Sequence, residues 1–246
     1  MSKYQLFISD VDGCISEPFV QPDWDILTEI RHLNMMSRVQ DDIPPMTLCT
    51  GRPQPYAEAL AQWLGIEHWF IFESGAGMYH PKTNEVRWSE RIPEEIFEAL
   101  NEMRAFAEKE IIKIYPKMMI EFTKRVDVGL VSPDTKAIQD AYNRCAEKAA
   151  EIHPDLEVHN TDISVNIIYS KVNKGTGVGE LAEIYDYDLD RLAYIGDGMN
   201  DAAAMTRVGK SFAPANARPQ ASEVADVNLP EKETAAVLKA YKMLIG

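Results

Sequence analysis

The chain has 246 residues, of which 46% are hydrophobic and 26% charged, a composition typical of a globular protein with one large or two modest domains. Its net charge of −14 argues against a nucleic-acid or anionic-membrane surface, because such partners are bound through clustered Lys and Arg. The three cysteines, Cys14, Cys49 and Cys145, lack CxxC spacing, so we expect no disulfide framework, no zinc site and a cytoplasmic location. We also expect no signal peptide and no membrane span, since neither pattern is present in the sequence.

Short apolar runs alternate with amphipathic segments at both ends of the chain. The apolar runs are typical of strands buried on both faces, and they cover residues 6–8, 46–48, 69–72 and 192–195. The amphipathic segments are typical of helices and cover residues 24–36, 55–64 and 175–185. This alternation predicts an α/β fold with a doubly wound, Rossmann-like parallel sheet as its core.

The middle of the chain has a different pattern, in which each predicted helix is followed by two strands. The helices are expected at 93–112 and 133–152, and the strands at 118–123, 126–131, 156–158 and 164–169. Paired strands after each helix indicate an α+β module inserted into the α/β core. We therefore predict a core made of residues 1–80 and 170–246, and an inserted domain made of residues 81–169.

Polar and glycine residues follow three of the predicted core strands, at the point where each strand ends. The motifs are Asp-Val-Asp-Gly at 10–13, Thr-Gly-Arg at 50–52 and Gly-Asp-Gly-Met-Asn-Asp at 196–201. Each motif taken alone is also an ordinary turn or helix cap. In an open α/β sheet, however, ligands bind outside the carboxyl ends of the strands, so we expect the three motifs to form one site.

Four carboxylates would converge in this site, namely Asp10, Asp12, Asp197 and Asp201. Their mutual repulsion makes such an arrangement costly without a cation. Mg²⁺ typically binds proteins through one or two carboxylates, together with waters and phosphate oxygens. The sequence therefore predicts a Mg²⁺ site that receives a phosphorylated ligand, in which one carboxylate attacks the phosphorus.

A phosphoryl group in transfer spreads negative charge over its oxygens, and it needs donors to receive that charge. Thr50 offers a hydroxyl, Gly51 leaves room for backbone contacts, and Lys174 is a candidate positive charge just before a predicted helix. A lysine at the start of a helix is more commonly solvated. Lys174 nevertheless stands where the chain returns from the inserted module to the core, which favours a functional role.

Taken together, these motifs resemble those of the haloacid dehalogenase-like superfamily. The matching elements are DxDG at 10–13, the Ser/Thr motif at Thr50, the lysine at Lys174 and GDGxND at 196–201. An insertion between Thr50 and Lys174 is similar to subfamily IIB, the Cof-like type with a C2 cap, which includes archaeal phosphoglycolate, sucrose-phosphate and mannosyl-3-phosphoglycerate phosphatases. Segments 73–77 and 214–217 also resemble that type. Two residues depart from its pattern: Cys14 stands where Thr or Asn is usual, and Ser74 stands where Asn is usual.

The resemblance implies a role for each matching residue. It implies that Asp10 is the nucleophile and a metal ligand, and that Asp12 is the general acid and later the base, offering its backbone carbonyl to the metal. It also implies that Asp197 ligates Mg²⁺ and that Asp201 supports the metal directly or through water. The remaining residues are then expected to bind the phosphoryl group and the substrate: Thr50, Gly51, Arg52, Lys174 and Asn200.

The predicted function is a Mg²⁺-dependent phosphatase that acts on a small phosphorylated metabolite, such as a sugar phosphate or a phosphoglycolate-like compound. Two alternatives stay open, a phosphomannomutase-like phosphosugar mutase and a non-catalytic metabolite-binding protein. Three cationic residues of the insert either meet a second anionic group of the substrate or form a solvated strand face: Lys117, Lys124 and Arg125. A monomer and a homodimer are both compatible with the sequence.

Overall fold

The computed structural model describes residues 2–17 and 20–246, and twelve strands occur among them. In chain order the strands are β1 (Leu6–Ser9), β2 (Met46–Leu48), β3 (Phe70–Phe72), β4 (Gly77–His80), β5 (Glu85–Trp88), β6 (Met119–Ile120), β7 (Asp127–Val131), β8 (Leu156–Asn160), β9 (Ser164–Tyr169), β10 (Leu192–Ile195), β11 (Lys210–Ala213) and β12 (Val227–Asn228).

The α-helices in the same part of the chain are α1 (Trp24–Met36), α2 (Gln54–Leu64), α3 (Glu94–Phe106), α4 (Ile112–Ile114), α5 (Thr135–Ile152), α6 (Lys174–Tyr185), α7 (Ala202–Met205), α8 (Pro219–Val224) and α9 (Glu233–Met243). A π-helical segment, Ala107–Ile111, connects α3 to α4, and short 3₁₀ turns occupy Glu73–Gly75, Leu189–Arg191 and Met199–Asp201. No helix of the described residues is both long and apolar enough to cross a membrane.

The chain forms two compact units, one made of residues up to Ser89 together with Asn173–Gly246, and one made of Glu90–Val172. The first junction lies after Ser89 rather than after residue 80, because β3, β4 and β5 form one antiparallel sheet that stays with the first unit. The second junction lies after Val172 rather than after residue 169, and α6 of the first unit begins almost at once.

The first unit is built on a five-stranded parallel sheet with the order β12-β11-β10-β1-β2. β1 is an interior strand, with Ile8 opposite Thr47 on one side and opposite Tyr194 on the other. All of β1, β2 and β10 are buried, as expected for strands covered by helices on both faces. The predicted α/β class with a Rossmann-like parallel sheet is confirmed, and the carboxyl ends of β1, β2 and β10 meet at one edge.

The apolar residues of this sheet alternate between two buried layers. One layer packs with residues of α1, α2 and α9 and contains Phe7, Met46, Leu48, Ala193 and Ile195. The other packs with residues of α6 and contains Leu6, Ile8, Cys49, Leu192 and Tyr194. Each large apolar side chain removed from water contributes about 1.5–3 kcal/mol, so the strand ends that carry the polar motifs rest on a rigid base.

The second unit is α+β, as the paired-strand pattern predicts. Its antiparallel sheet has the order β6-β7-β9-β8, and α3 and α5 pack against it. Helix α5 begins after Asp134, whose side chain accepts hydrogen bonds from the backbone N–H groups of Lys136 and Ala137. The predicted strand at 118–123 is shorter in the structure, because the chain turns after Glu121 and folds Lys124 back towards Glu121 and Asp127.

Candidate active site

Asp10 lies directly after strand β1 and is almost completely buried. Its backbone N–H donates to Ile195 O at 2.9 Å, which ties this loop to the end of β10. Its Oδ1 atom accepts hydrogen bonds from the Val11 backbone N–H and from Lys174 Nζ, each at 2.7 Å. Both hydrogen-bond donors therefore contact the same carboxylate oxygen, Oδ1. By holding Oδ1, they also fix the position of Oδ2.

Three carboxylates form a tight cluster at this strand edge. Asp10, Asp197 and Asp201 each present one oxygen, and the three oxygens lie within 4.8 Å of one another. Gly13 permits the approach of Asp197, since a Cβ atom at residue 13 would lie 2.3 Å from Asp197 Oδ2 and the backbone has φ +74°. Only glycine accepts both the contact and the left-handed conformation without strain.

The crowding perturbs the acidities of the cluster. Burial, followed by the charge of Asp201, raises the pKa of Asp197 from 3.8 to about 6. Burial and the Asp201 charge also raise the pKa of Asp10 well above its ordinary value, although Lys174 opposes the change. Without a metal ion the fold therefore holds these neighbouring carboxylates at a cost in free energy.

Lys174 supplies the positive charge within the cluster. It is the first residue of α6, its side chain is 1% exposed, and its Nζ lies 2.7 Å from both Asp10 Oδ1 and Asp201 Oδ1. Burial lowers the pKa of Lys174, but the two aspartates outweigh burial, so its pKa is raised and the ammonium group stays charged. The solvated-lysine interpretation of the sequence is therefore wrong, because this side chain is enclosed beside two carboxylates.

Asp12 points to a different partner from the other three aspartates. Its carboxylate accepts two hydrogen bonds from the Arg52 guanidinium, at 2.8 Å from Nε and 2.7 Å from Nη2. The Arg52 guanidinium also lies over the Tyr56 ring, 4.8 Å from its centroid. The Asp12 carboxylate is thus engaged with Arg52, and it is not among the three carboxylates of the cluster.

Thr50 and Gly51 follow β2 at the same edge of the sheet. Thr50 is fully buried, and its Oγ1 accepts a hydrogen bond from the Arg52 N–H at 3.0 Å. A Cβ atom on Gly51 would lie 3.1 Å from Ser74 Oγ. Asn200 lies in the short turn Met199–Asp201 and is exposed. Within the described chain, neither Thr50 nor Asn200 donates a hydrogen bond to the aspartate cluster.

Three consecutive residues with positive φ lie beside these loops: Glu73 at 46°, Ser74 at 54° and Gly75 at 104°. The backbone N–H groups of Glu73 and Ser74 donate to Arg52 O and Thr50 O. A Cβ atom on Gly75 would lie 2.2 Å from the carbonyl oxygen of Asn173. A non-glycine residue in this conformation costs on the order of 1–3 kcal/mol, and such strain is frequent at functional sites.

Two further residues complete the site, and we did not predict a role for either from the sequence. The Tyr194 hydroxyl donates to Asp201 Oδ1 at 2.7 Å, and Asn216 Nδ2 donates to Gly13 O at 2.9 Å. Tyr194 resembles any apolar strand residue in the sequence. Asn216 falls in the segment 214–217, where the resemblance marked a motif without indicating what it contacts.

One of the three cationic residues of the second unit fits neither prediction. Lys124 is buried and forms ion pairs with Glu121 at 2.9 Å and Asp127 at 2.7 Å, so its charge is neutralised within its own unit. The Arg125 guanidinium stacks over the Phe97 ring at 4.6 Å. Lys117 and Arg125 are both exposed. Lys124 is therefore neither on a solvated face nor open to a substrate anion.

Comparisons with known proteins place this site in a wider context. Residues 101–241 match a family model described as haloacid dehalogenase-like hydrolase. A phosphoglycolate phosphatase from Methanococcoides burtonii is 27% identical over 225 residues, covering 89% of this chain and 86% of that protein. A solved structure from Thermoplasma acidophilum has a TM-score of 0.74 at 20% identity, covering 98% of each chain. The sucrose-phosphatase from Synechocystis sp. PCC6803, solved with sucrose and phosphate, has a TM-score of 0.67 at 16% identity, covering 99% of this chain and 98% of that one.

Proposed function

This chain belongs to the haloacid dehalogenase-like hydrolase family, and from that membership we propose that it is a Mg²⁺-dependent phosphatase with Asp10 as its nucleophile. The observation that carries the proposal is the buried group of Asp10, Lys174 and Asp201, in which one ammonium bridges two carboxylates at 2.7 Å. A charged lysine fixed beside a carboxylate at a strand edge is what a phosphoryl-transfer site requires.

The residues present fit a hard divalent cation. Asp10, Asp197 and Asp201 offer oxygen ligands within 4.8 Å of one another, and burial together with the charge of Asp201 raises the pKa values of Asp10 and Asp197, which supports a site that takes up a cation. Asp12 would add its backbone carbonyl. When bound, Mg²⁺ would neutralise charge on the phosphate oxygens and on the carboxylates.

In the proposed reaction, the Asp10 carboxylate attacks the phosphorus. The oxygen of the metabolite leaves with a proton from Asp12, which gives an aspartyl-phosphate. A water then attacks the same phosphorus, Asp12 takes its proton, and the bond to Asp10 breaks to release inorganic phosphate. Lys174 and the Thr50 hydroxyl receive charge from the phosphoryl oxygens in both steps.

Proton donation by Asp12 requires a change at Arg52. In the structure Arg52 donates a hydrogen bond to each carboxylate oxygen of Asp12, at 2.7 and 2.8 Å, so neither oxygen is available to a leaving group. We propose that an anionic group of the substrate draws Arg52 away and leaves Asp12 free to carry a proton. Substrate binding and activation of the acid would then be one event.

The substrate class is proposed from the relatives and from the second unit. Because relatives that align with most of the chain are named phosphoglycolate phosphatases, a small carboxylated phosphoester is the first candidate. We propose that Glu90–Val172 serves as the cap that selects the substrate. The three described cysteines are free thiols, which is in keeping with the cytoplasmic location that we propose.

A Mg²⁺-supplemented screen for phosphate release tests the proposal, with phosphoglycolate, phosphoglycerate, sugar phosphates and nucleotides as substrates. The Asp10→Asn variant is the control, because it keeps the shape of the side chain and removes the nucleophile. We expect turnover only with Asp10 present, and a phosphoryl adduct on the peptide containing Asp10 after acid quench. Hydrolysis by Asp10→Asn would exclude the mechanism, and isomer interconversion without phosphate release would indicate a mutase instead.

A further inference from the structure

The hydroxyl of Tyr194 is a buried functional group that the proposed reaction does not use. Tyr194 lies on β10, opposite Ile8 of β1, and its side chain is fully buried in the apolar layer that faces α6. Its hydroxyl is directed to Asp201 Oδ1 at 2.7 Å. The surrounding core fixes the ring, so the position of this donor is fixed as well.

Asp201 is held by three donors. Oδ1 accepts from Lys174 Nζ and from the Tyr194 hydroxyl, each at 2.7 Å, and Oδ2 accepts from the Gly198 N–H at 2.8 Å. With donors on both oxygens, the carboxylate plane cannot rotate without breaking at least one hydrogen bond. Because Asp201 has no exposed surface, water cannot replace a lost donor without a rearrangement of the core.

The donors on Asp201 also determine where Lys174 is positioned. Nζ lies at the same distance, 2.7 Å, from Asp201 and from Asp10, so the ammonium is shared equally between the two carboxylates. Tyr194 adds a donor to Asp201 without adding charge, which reduces the attraction of Asp201 for Lys174. Without that hydroxyl, we expect Nζ to shift towards Asp201 and away from the nucleophile.

We propose that Tyr194 is a positioning residue, whose hydroxyl fixes Asp201 so that Lys174 remains shared with Asp10 at the phosphoryl-binding edge. The catalytic consequence of this role rests on the proposed function. The structural part, which concerns only the location of the Lys174 ammonium, does not depend on turnover.

The test compares Tyr194→Phe with Tyr241→Phe. Tyr241 is the matched control, because it is fully buried in the same unit and its hydroxyl donates to a backbone carbonyl, Pro44 O, at 2.8 Å. In ¹⁵N-lysine-labelled protein, the Lys174 ammonium resonance is assigned by its loss in Lys174→Met. We expect this resonance to shift in Tyr194→Phe and to stay unchanged in Tyr241→Phe.

The kinetic arm uses the substrate found in the phosphate-release screen and inorganic phosphate as the inhibitor. Loss of one hydrogen bond to a charged group should lower kcat/KM of Tyr194→Phe roughly tenfold and weaken phosphate inhibition by a similar factor, whereas Tyr241→Phe keeps both values. An unchanged Lys174 resonance in Tyr194→Phe would overturn the proposal. So would equal kinetic losses in both variants, which would indicate a general packing effect.

The two proposals fail separately. If the wild-type protein releases no phosphate from any substrate while the Lys174 resonance shifts in Tyr194→Phe, then the proposed phosphatase function fails and the positioning of Lys174 by Tyr194 stands.

Discussion

Replacing Asp197 with Asn should stabilise the metal-free protein at alkaline pH. The pKa of Asp197 is about 6 in the folded protein and 3.8 ordinarily, so the folded state binds this proton more tightly than the unfolded state does. Stability is therefore lost as the pH rises from the lower value through the higher one. Each pKa unit corresponds to about 1.4 kcal/mol, so ionised Asp197 costs about 3 kcal/mol, and Asp197→Asn should recover up to that amount.

Urea unfolding in the presence of a chelator measures this effect. We expect Asp197→Asn to exceed the wild type in free energy of unfolding by about 2–3 kcal/mol near pH 8 and by little near pH 4. Asp162→Asn, at an exposed aspartate, is the control and should change stability at neither pH. Saturating Mg²⁺ should stabilise the wild type and have less effect on Asp197→Asn. A variant that is less stable than the wild type near pH 8 would refute the reasoning.

Two further substitutions distinguish residues that act in the proposed reaction from residues that only stabilise the fold. Lys174→Met leaves the Asp10 and Asp201 carboxylates buried without their shared cation, and should cost about 3–5 kcal/mol of stability in metal-free urea unfolding and about a hundredfold or more in turnover. Asn34→Ala removes a buried side chain that donates to Leu64 O, and should lower the free energy of unfolding by about 1–3 kcal/mol. Since Asn34 lies in the core and not in the site, the kcat/KM of Asn34→Ala at 25 °C should equal that of the wild type. A loss of activity in this variant would contradict the placement of Asn34 outside the site.

The sequence predicts the fold well wherever local pattern and topology agree. Buried strands that alternate with helices have few arrangements other than a parallel sheet, and the predicted class and family are confirmed. The first domain junction is less predictable. β5 is short and polar, so its sequence does not distinguish a strand from a loop. Only its pairing with β4 assigns it to the first unit. Such pairing is non-local information that periodicity does not contain.

For the site, the sequence predicts which residues converge more accurately than which groups they contact. The clustering of Asp10 with Asp197 follows from the position of both at carboxyl ends of neighbouring strands. The pairing of Asp12 with Arg52 does not follow, because residues two apart after a strand can point in different directions. Lys124 illustrates the same limit, since its ion pairs depend on how one turn folds back on itself.

The sheet order has a consequence for synthesis on the ribosome. β1 emerges first, yet its neighbour β10 follows about 190 residues later, which at typical rates of elongation takes on the order of ten to forty seconds. During that interval one edge of β1, an interior strand that is fully buried in the folded protein, has no partner. The segment Glu90–Val172, whose sheet partners all lie within it, emerges completely before β10 does. The nascent chain therefore carries Asp10 at the end of an unfinished sheet, whose unpaired strand edge is exposed to aggregation during that interval.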